Sequence, residues 1–226
     1  VRAICDLYAQ ATTLHEQGAH VVSCDEKTGI QALERARPAL PLRPRLVERL
    51  EYEYVRHGTP CLIANLDVAT GRVENPTIGL TRSEQDFAAH ITRTIDDDPD
   101  APWIFVVDNL NTHNSETLVR LVAERCKLTV PLGVKGKSGV LRTRHTRAAF
   151  LSDPSHRIRF VYTPKHCSWL NQIELWFSIL VRRLLKRASF SSRDDLHQRM
   201  LAFIDYFNQC MAKPFRWTYR GKLLAA

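Results

Sequence analysis

The sequence predicts a mixed α/β sheet, on three observations. Short apolar runs alternate with stretches of helical spacing. The early runs stand close together, as hairpin strands do, whereas the later ones are separated by helices. Trp103-Ile-Phe-Val-Val107 is apolar at every position, the pattern of a central strand covered on both faces.

Taken in order, Ile4, Leu7, Tyr8, Ala11 and Leu14 recur at helical spacing, so residues 4–17 read as a short helix. Ala19 to Asp25 reads as a strand running into an acidic end. Residues 31–50 carry Pro38, Pro41 and Pro44 among arginines and read as an irregular excursion. Strands follow at 51–57 and 61–69, with Gly58 and Pro60 punctuating a hairpin between them and Thr70-Gly71 closing the second. Thr81 with Glu84 reads as a capping box opening a helix to Ile95. After the turn at 96–102 and the central strand, Ser115 caps a helix to Cys126. Residues 127–157 read as a long connection. Arg157–Thr163 is a further strand, 168–187 an amphipathic helix, and Ser191 caps a last helix to Gln209.

The chain has 226 residues, enough for one large domain with its own core. No apolar run approaches the roughly 20 residues of a membrane span. The six cysteines are scattered without a C-x-x-C pair, which excludes a zinc ribbon or disulfide scaffold and fits a reducing compartment. The net charge of +8 is uneven: residues 1–126 sum to −6, whereas 127–187 hold 13 basic against 2 acidic residues. A positive field so concentrated faces either solvent or a polyanion, nucleic acid first.

Three carboxylates stand out. Asp25 and Asp108 end apolar strands, where open α/β sheets build their sites; a capping or turn role is the plain alternative for each alone. Glu174 falls within the apolar stripe of the 168–187 helix, where an unpaired charge costs several kcal/mol; an ion pair with an arginine is its plain alternative. Three converging acids repel one another unless a divalent cation joins them. An all-oxygen donor set selects Mg²⁺ or Mn²⁺. Two such ions could serve phosphodiester chemistry, with the basic stretch holding phosphates.

At these residues the chain resembles a known family. Val-Val-Ser-Cys-Asp25-Glu-Lys, Asp108-Asn-Leu-Asn-Thr-His113 and Trp169-Leu-Asn171-Gln-Ile-Glu174-Leu-Trp resemble the DDE elements of mariner-superfamily transposases, in particular the bacterial insertion-sequence branch. The resemblance runs from about residue 19 to 222 and includes Lys213-Pro-Phe-Arg-Trp-Thr-Tyr. It implies an RNase H-like fold, a five-stranded mixed sheet flanked by helices. It implies that Asp25, Asp108 and Glu174 are catalytic and bind two Mg²⁺ ions, with Mn²⁺ able to substitute. It also implies cleavage at transposon ends, transfer of the freed 3′-hydroxyl into target DNA, and a homodimer that pairs two ends in the bacterial cytoplasm. A catalytically inactive DNA-binding remnant and a hydrolytic nuclease of the same fold are the alternatives.

On this resemblance, residues 1–18 are a linker helix, 19–212 the catalytic domain, and 213–226 a tail. The gap from Asp108 to Glu174 is 66 positions, longer than in the mariner branch proper, and the basic stretch 127–157 fills it. That stretch reads as an inserted arm touching DNA or a second protomer, or as a disordered loop. Family members carry an N-terminal helix-turn-helix region, which is either missing or outside this chain.

Lys135, Lys137, Arg142, Arg144, Lys165 and His166 are the expected DNA contacts, and Asn109, His113 and Asn171 the supporting residues. Arg56 is a weaker DNA candidate. Asp67 is assigned to a turn or strand edge rather than a metal. Glu26 is set aside because strand alternation turns it away from Asp25. Trp169, Trp176 and Phe177 read as core. Gly133-Val-Lys-Gly-Lys-Ser138 is no phosphate loop, because Pro131 stands where a Walker motif needs its first glycine. No nucleotide cofactor is expected.

Overall fold

The computed structural model describes residues 1–49, 51–186 and 188–221. Leu50, Arg187 and the final five residues, which fall in the predicted excursion, long helix and tail, lie outside the described residues. Helix α1 (Arg2–Glu16) leads into strand β1 (His20–Lys27). Strands β2 (Leu33–Arg35) and β3 (Tyr54–Arg56) pair with each other in a small separate sheet. The main sheet continues with β4 (Cys61–Asp67), β5 (Val73–Gly79), β6 (Trp103–Val107) and β7 (Ile158–Tyr162). Its spatial order is β5-β4-β1-β6-β7, the five-stranded mixed sheet expected. β1 runs antiparallel to β4 and parallel to β6, and β6 runs parallel to β7.

Strand alternation sorts the core onto two faces. Val22, Cys24, Phe105 and Phe160 face α2 (Glu84–Asp96), α3 (Glu116–Arg125) and α4 (Arg144–Leu151). Val21, Ile104 and Val106 face α1, while Leu62, Ala64 and Leu66 face α5 (Ile173–Leu180) and α6 (Arg193–Cys210). Large apolar side chains are thus sealed on both sides of one layer, each worth roughly 1.5–3 kcal/mol on burial. The tail folds back onto this core: Trp217 packs edge-on against Tyr8 at 5.2 Å. Gly71 sits so close beneath it that a Cβ there would meet the Lys213 carbonyl oxygen at 2.0 Å.

Several local expectations are corrected. The segment at 51–57 contributes only β3, which pairs with β2 and not with the strand after Pro60. The hairpin partner of β4 is β5, reached through the Thr70-Gly71 turn. β5 went unread because Asn75 and Pro76 interrupt its pattern. The excursion is a hairpin, with bridges Leu40 to Arg49 and Arg43 to Leu46. Ser83 and Asp86, one pair along from Thr81 and Glu84, form the capping box of α2. Ser192 in place of Ser191 caps α6.

The basic connection is ordered. A 3₁₀ turn at Val140–Arg142 and helix α4 bury Leu141 and Leu151 in the core. The predicted 168–187 helix is three pieces: a 3₁₀ turn at Ser168–Leu170, α5, and a π-helical stretch over Val181–Leu185. Trp176 and Phe177 are core, whereas Trp169 is half exposed and lies 6.5 Å from the parallel ring of Trp217.

Candidate active site

The carboxyl ends of β1 and β6 lie side by side because the two strands are parallel neighbours. Asp25 sits in β1, two residues before its end and opposite Ala64 of β4. Asp108 follows β6 directly. Asp25 is buried, and its Oδ1 accepts the Glu26 backbone N–H at 2.8 Å. Burial first, and then the negative charge of Asp108, lift its carboxyl to about 7. For Asp108 burial acts in the same direction, but the His113 hydrogen bond and the Leu110 N–H outweigh it and hold the carboxyl below its usual range. Two neighbouring acids are therefore pushed apart in proton affinity. A cation placed between them would favour both as carboxylates.

His113 is the hub. Its Nδ1 stands 2.8 Å from Asp108 Oδ1 and its Nε2 3.2 Å from Glu26 Oε2, with both the imidazole and the Glu26 carboxylate sealed from solvent. Burial opposes charge on the ring, but the two carboxylates prevail and lift it to about 10. Tyr162 Oη donates to the His113 carbonyl at 2.7 Å, and Phe87 packs on the ring at 4.3 Å.

The expectation that Glu26 stands apart is corrected. Alternation does turn it to the α2 face, but His113 lies there. Asp25, Glu26 and His113 each bring a donor atom to within 4.8 Å of the others. This is the tight cluster at the site, and it is not the predicted trio. The signal that could have found it is the spacing from His113 to an acidic pair on a neighbouring strand.

Asn171 joins the third element. It is fully buried, donates from Nδ2 to the Cys24 carbonyl at 2.9 Å and to Asp25 Oδ2 at 3.2 Å, and accepts from Ser23 Oγ. Ser23 Oγ in turn accepts the Ile173 N–H at 2.9 Å, so the start of α5 is riveted to β1. Glu174 follows on the first turn of α5, its N–H bonded to the Asn171 carbonyl at 3.1 Å. It is half-buried and lines a groove with Lys27, Phe177 and Arg182, at the rim of the apolar stripe and not inside it.

Asn109 Nδ2 donates to the Thr163 carbonyl at 2.7 Å, and Arg144 from α4 donates to the Asn109 carbonyl. The basic stretch therefore docks on the loop after Asp108, and Arg144 adds positive charge beside that acid. Lys165 and His166 are exposed just beyond Thr163, with His166 at φ +62°. Lys137 and Arg142 are exposed. Lys135 leans toward Glu84 at 3.7 Å and Glu116 at 4.0 Å, so it braces the arm. Arg56 is exposed on β3.

The sheet order is that of an RNase H-like fold. The sequence pattern of the DDE superfamily endonucleases matches residues 20–197, and the chain belongs to that family. Among curated proteins none matches significantly. Among solved structures, the chain is similar to that of the "Mos1 mariner paired end complex with Mn", at 13% identity and a TM-score of 0.54. That match covers 90% of this chain and 53% of that one. The chain thus spans about half the length of that relative. A second Mos1 structure, a paired-end complex with the left transposon end, matches at 13% identity and a TM-score of 0.37 over 92% of this chain and 59% of that one. Among the described residues no helix is long and apolar enough to cross a membrane.

Proposed function

We propose that this chain is the catalytic domain of a DNA transposase, which cleaves at transposon ends and transfers the freed 3′-hydroxyl into target DNA. The observation that carries this reading is the Asp25–Asp108 pair. Two acids stand at the carboxyl ends of parallel neighbouring strands, near enough that the charge of Asp108 helps lift the Asp25 carboxyl to about 7, while the Asp108 carboxyl is held below its usual range. That donor set fits hard divalent cations, Mg²⁺ with Mn²⁺ as substitute. Two such ions, when bound, would activate an attacking oxygen and stabilise a leaving one. Asp25 and Asp108 would hold them, with Glu174 the third acid.

The remaining roles belong to the chain's own residues. Asn171 orients the Asp25 carboxyl. His113, carrying its proton, keeps Asp108 ionised while Glu26 balances the charge. In this reading Arg144, Lys165 and His166 contact phosphates of the cut strand, and the exposed Lys137 and Arg142 extend that track. The partners are transposon-end and target DNA, handled by a homodimer in the bacterial cytoplasm.

The test is a strand-transfer assay. A pre-cut transposon end, supercoiled plasmid and Mg²⁺ are incubated with the chain, and joined products are scored. Joined products support the reading; nicking without joining would make the chain a hydrolytic nuclease. DNA binding with neither reaction and no Mn²⁺ uptake would make it an inactive remnant.

A further inference from the structure

The far end of the sheet holds a second donor cluster. His15, His20 and Asp67 each bring one nitrogen or carboxylate oxygen to within 4.8 Å of the others. They come from three elements: the last turn of α1, the first residue of β1, and the last residue of β4. His20 and Asp25 are five residues apart on one strand, about 16 Å at the rise of an extended chain. This cluster is therefore separate from the Asp25–Asp108 site.

We infer that His15, His20 and Asp67 form a binding site for a first-row divalent metal, zinc foremost. The fold holds each donor in place for reasons of its own. Gly18, at φ +80°, turns the chain sharply between α1 and β1, and the Gly18 N–H bonds back to the His15 carbonyl at 2.9 Å. That turn sets the His15 ring over the start of β1, edge-on to His20 at 6.1 Å.

The His20 ring is fixed on two sides. It stacks on Trp103 at 4.1 Å, and its Nε2 meets Asp98 Oδ2 at 3.1 Å. A carboxylate on one ring nitrogen, leaving the other to a metal, is the arrangement that orients ligand histidines. Asp67 is buried at 2% exposure, and its Oδ1 accepts the Thr70 N–H at 2.8 Å. The expected turn role is thus present, and it aims the carboxylate.

The charge around the cluster is unbalanced. Among the described residues no lysine or arginine forms an ion pair with Asp67. The buried Asp67 carboxylate and two imidazoles make a mixed nitrogen and oxygen set. Such a set suits zinc and its neighbours better than Mg²⁺. Three protein donors leave water to fill the fourth position. The bound ion would staple α1 to the sheet.

Calorimetric titration of Zn²⁺ into the untagged chain tests this. The chain carries Asp25→Asn and Asp108→Asn, in excess Mg²⁺, so that the other site cannot report. One equivalent of Zn²⁺ should bind and raise the melting temperature. His15→Ala, at an exposed position, should weaken binding at least about tenfold and abolish the visible bands of bound Co²⁺. Asp98→Asn should weaken it by about 10–100-fold, the usual cost of losing an orienting partner. Absence of Zn²⁺ binding, or an affinity that His15→Ala leaves unchanged, would overturn the inference.

Discussion

His113 Nδ1 lies 2.8 Å from Asp108 Oδ1, and the same imidazole holds Glu26 through its other nitrogen. A histidine two side chains deep in the site thus couples an acid at the end of β6 to one on β1. His113→Ala would leave the Glu26 carboxylate sealed without a counter-charge. Removing one member of a buried ion pair costs about 3–5 kcal/mol. Urea unfolding should show a loss of that order, and Glu26→Gln added to His113→Gln should recover part of it. Strict additivity of the two changes would mean that the pair is not coupled.

Asp108→Asn should abolish strand cutting with little change in DNA affinity, because the residue serves the reacting centre and not the phosphate track. Cleavage and binding measured on one preparation separate the two. Loss of binding in step with cutting would mean that Asp108 has a structural role.

Asp25 and Asp108 repel each other when no cation is bound. Mn²⁺ should therefore raise the melting temperature of the wild-type chain, and Asp25→Asn should remove most of that gain while itself stabilising the metal-free protein. An equal Mn²⁺ response in the variant would place the ion elsewhere.

His90 is fully buried on α2, its Nδ1 beside Thr77 Oγ1 at 2.7 Å. Burial, and then the charge of Arg93, lower its affinity for a proton to about 3. The folded value lies below the unfolded one near 6.5, so the unfolded chain takes up the proton first. Stability from this residue is complete above about pH 6.5 and is lost as pH falls toward 3. The full span is on the order of 5 kcal/mol. Unfolding of wild type and His90→Gln from pH 7 to 4 checks this: the gap between them should narrow on acidification.

Neutralising Lys135, Lys137, Arg142 and Arg144 should flatten the salt dependence of DNA binding. Each lost phosphate contact lowers the log–log slope by about 0.9. Lys135 alone should contribute least, because its ammonium already leans on Glu84 and Glu116. An unchanged slope would remove the arm from the DNA surface.

The main sheet was largely legible because its buried strands are continuous apolar runs and its helices carry clear stripes. The strand-end positions of Asp25 and Asp108 were legible because an acid closing such a run is conspicuous. What escaped had contrary local signals. β5 contains Asn75 and Pro76, which read as a turn, and only pairing with β4 makes it a strand. α4 carries Arg144 and Arg147, and its one buried leucine, Leu151, is too sparse a stripe to declare a helix. The break at Asn171 follows from tertiary hydrogen bonds to Ser23 and Cys24, which no local pattern encodes. Glu26 was misjudged because alternation gives the face a residue points to but not what waits there.

One edge strand of the main sheet, β5, carries a consequence for self-association. β5 holds Pro76, which offers no N–H, and Asn75 at φ +49°, which twists the ribbon away from flatness; its register with β4 also slips between Ile63 and Asn65. A neighbouring polypeptide seeking to extend the ladder there would find a missing donor and a warped template. Copies of this protein should accordingly resist edge-to-edge aggregation along β5, even in crowded solutions.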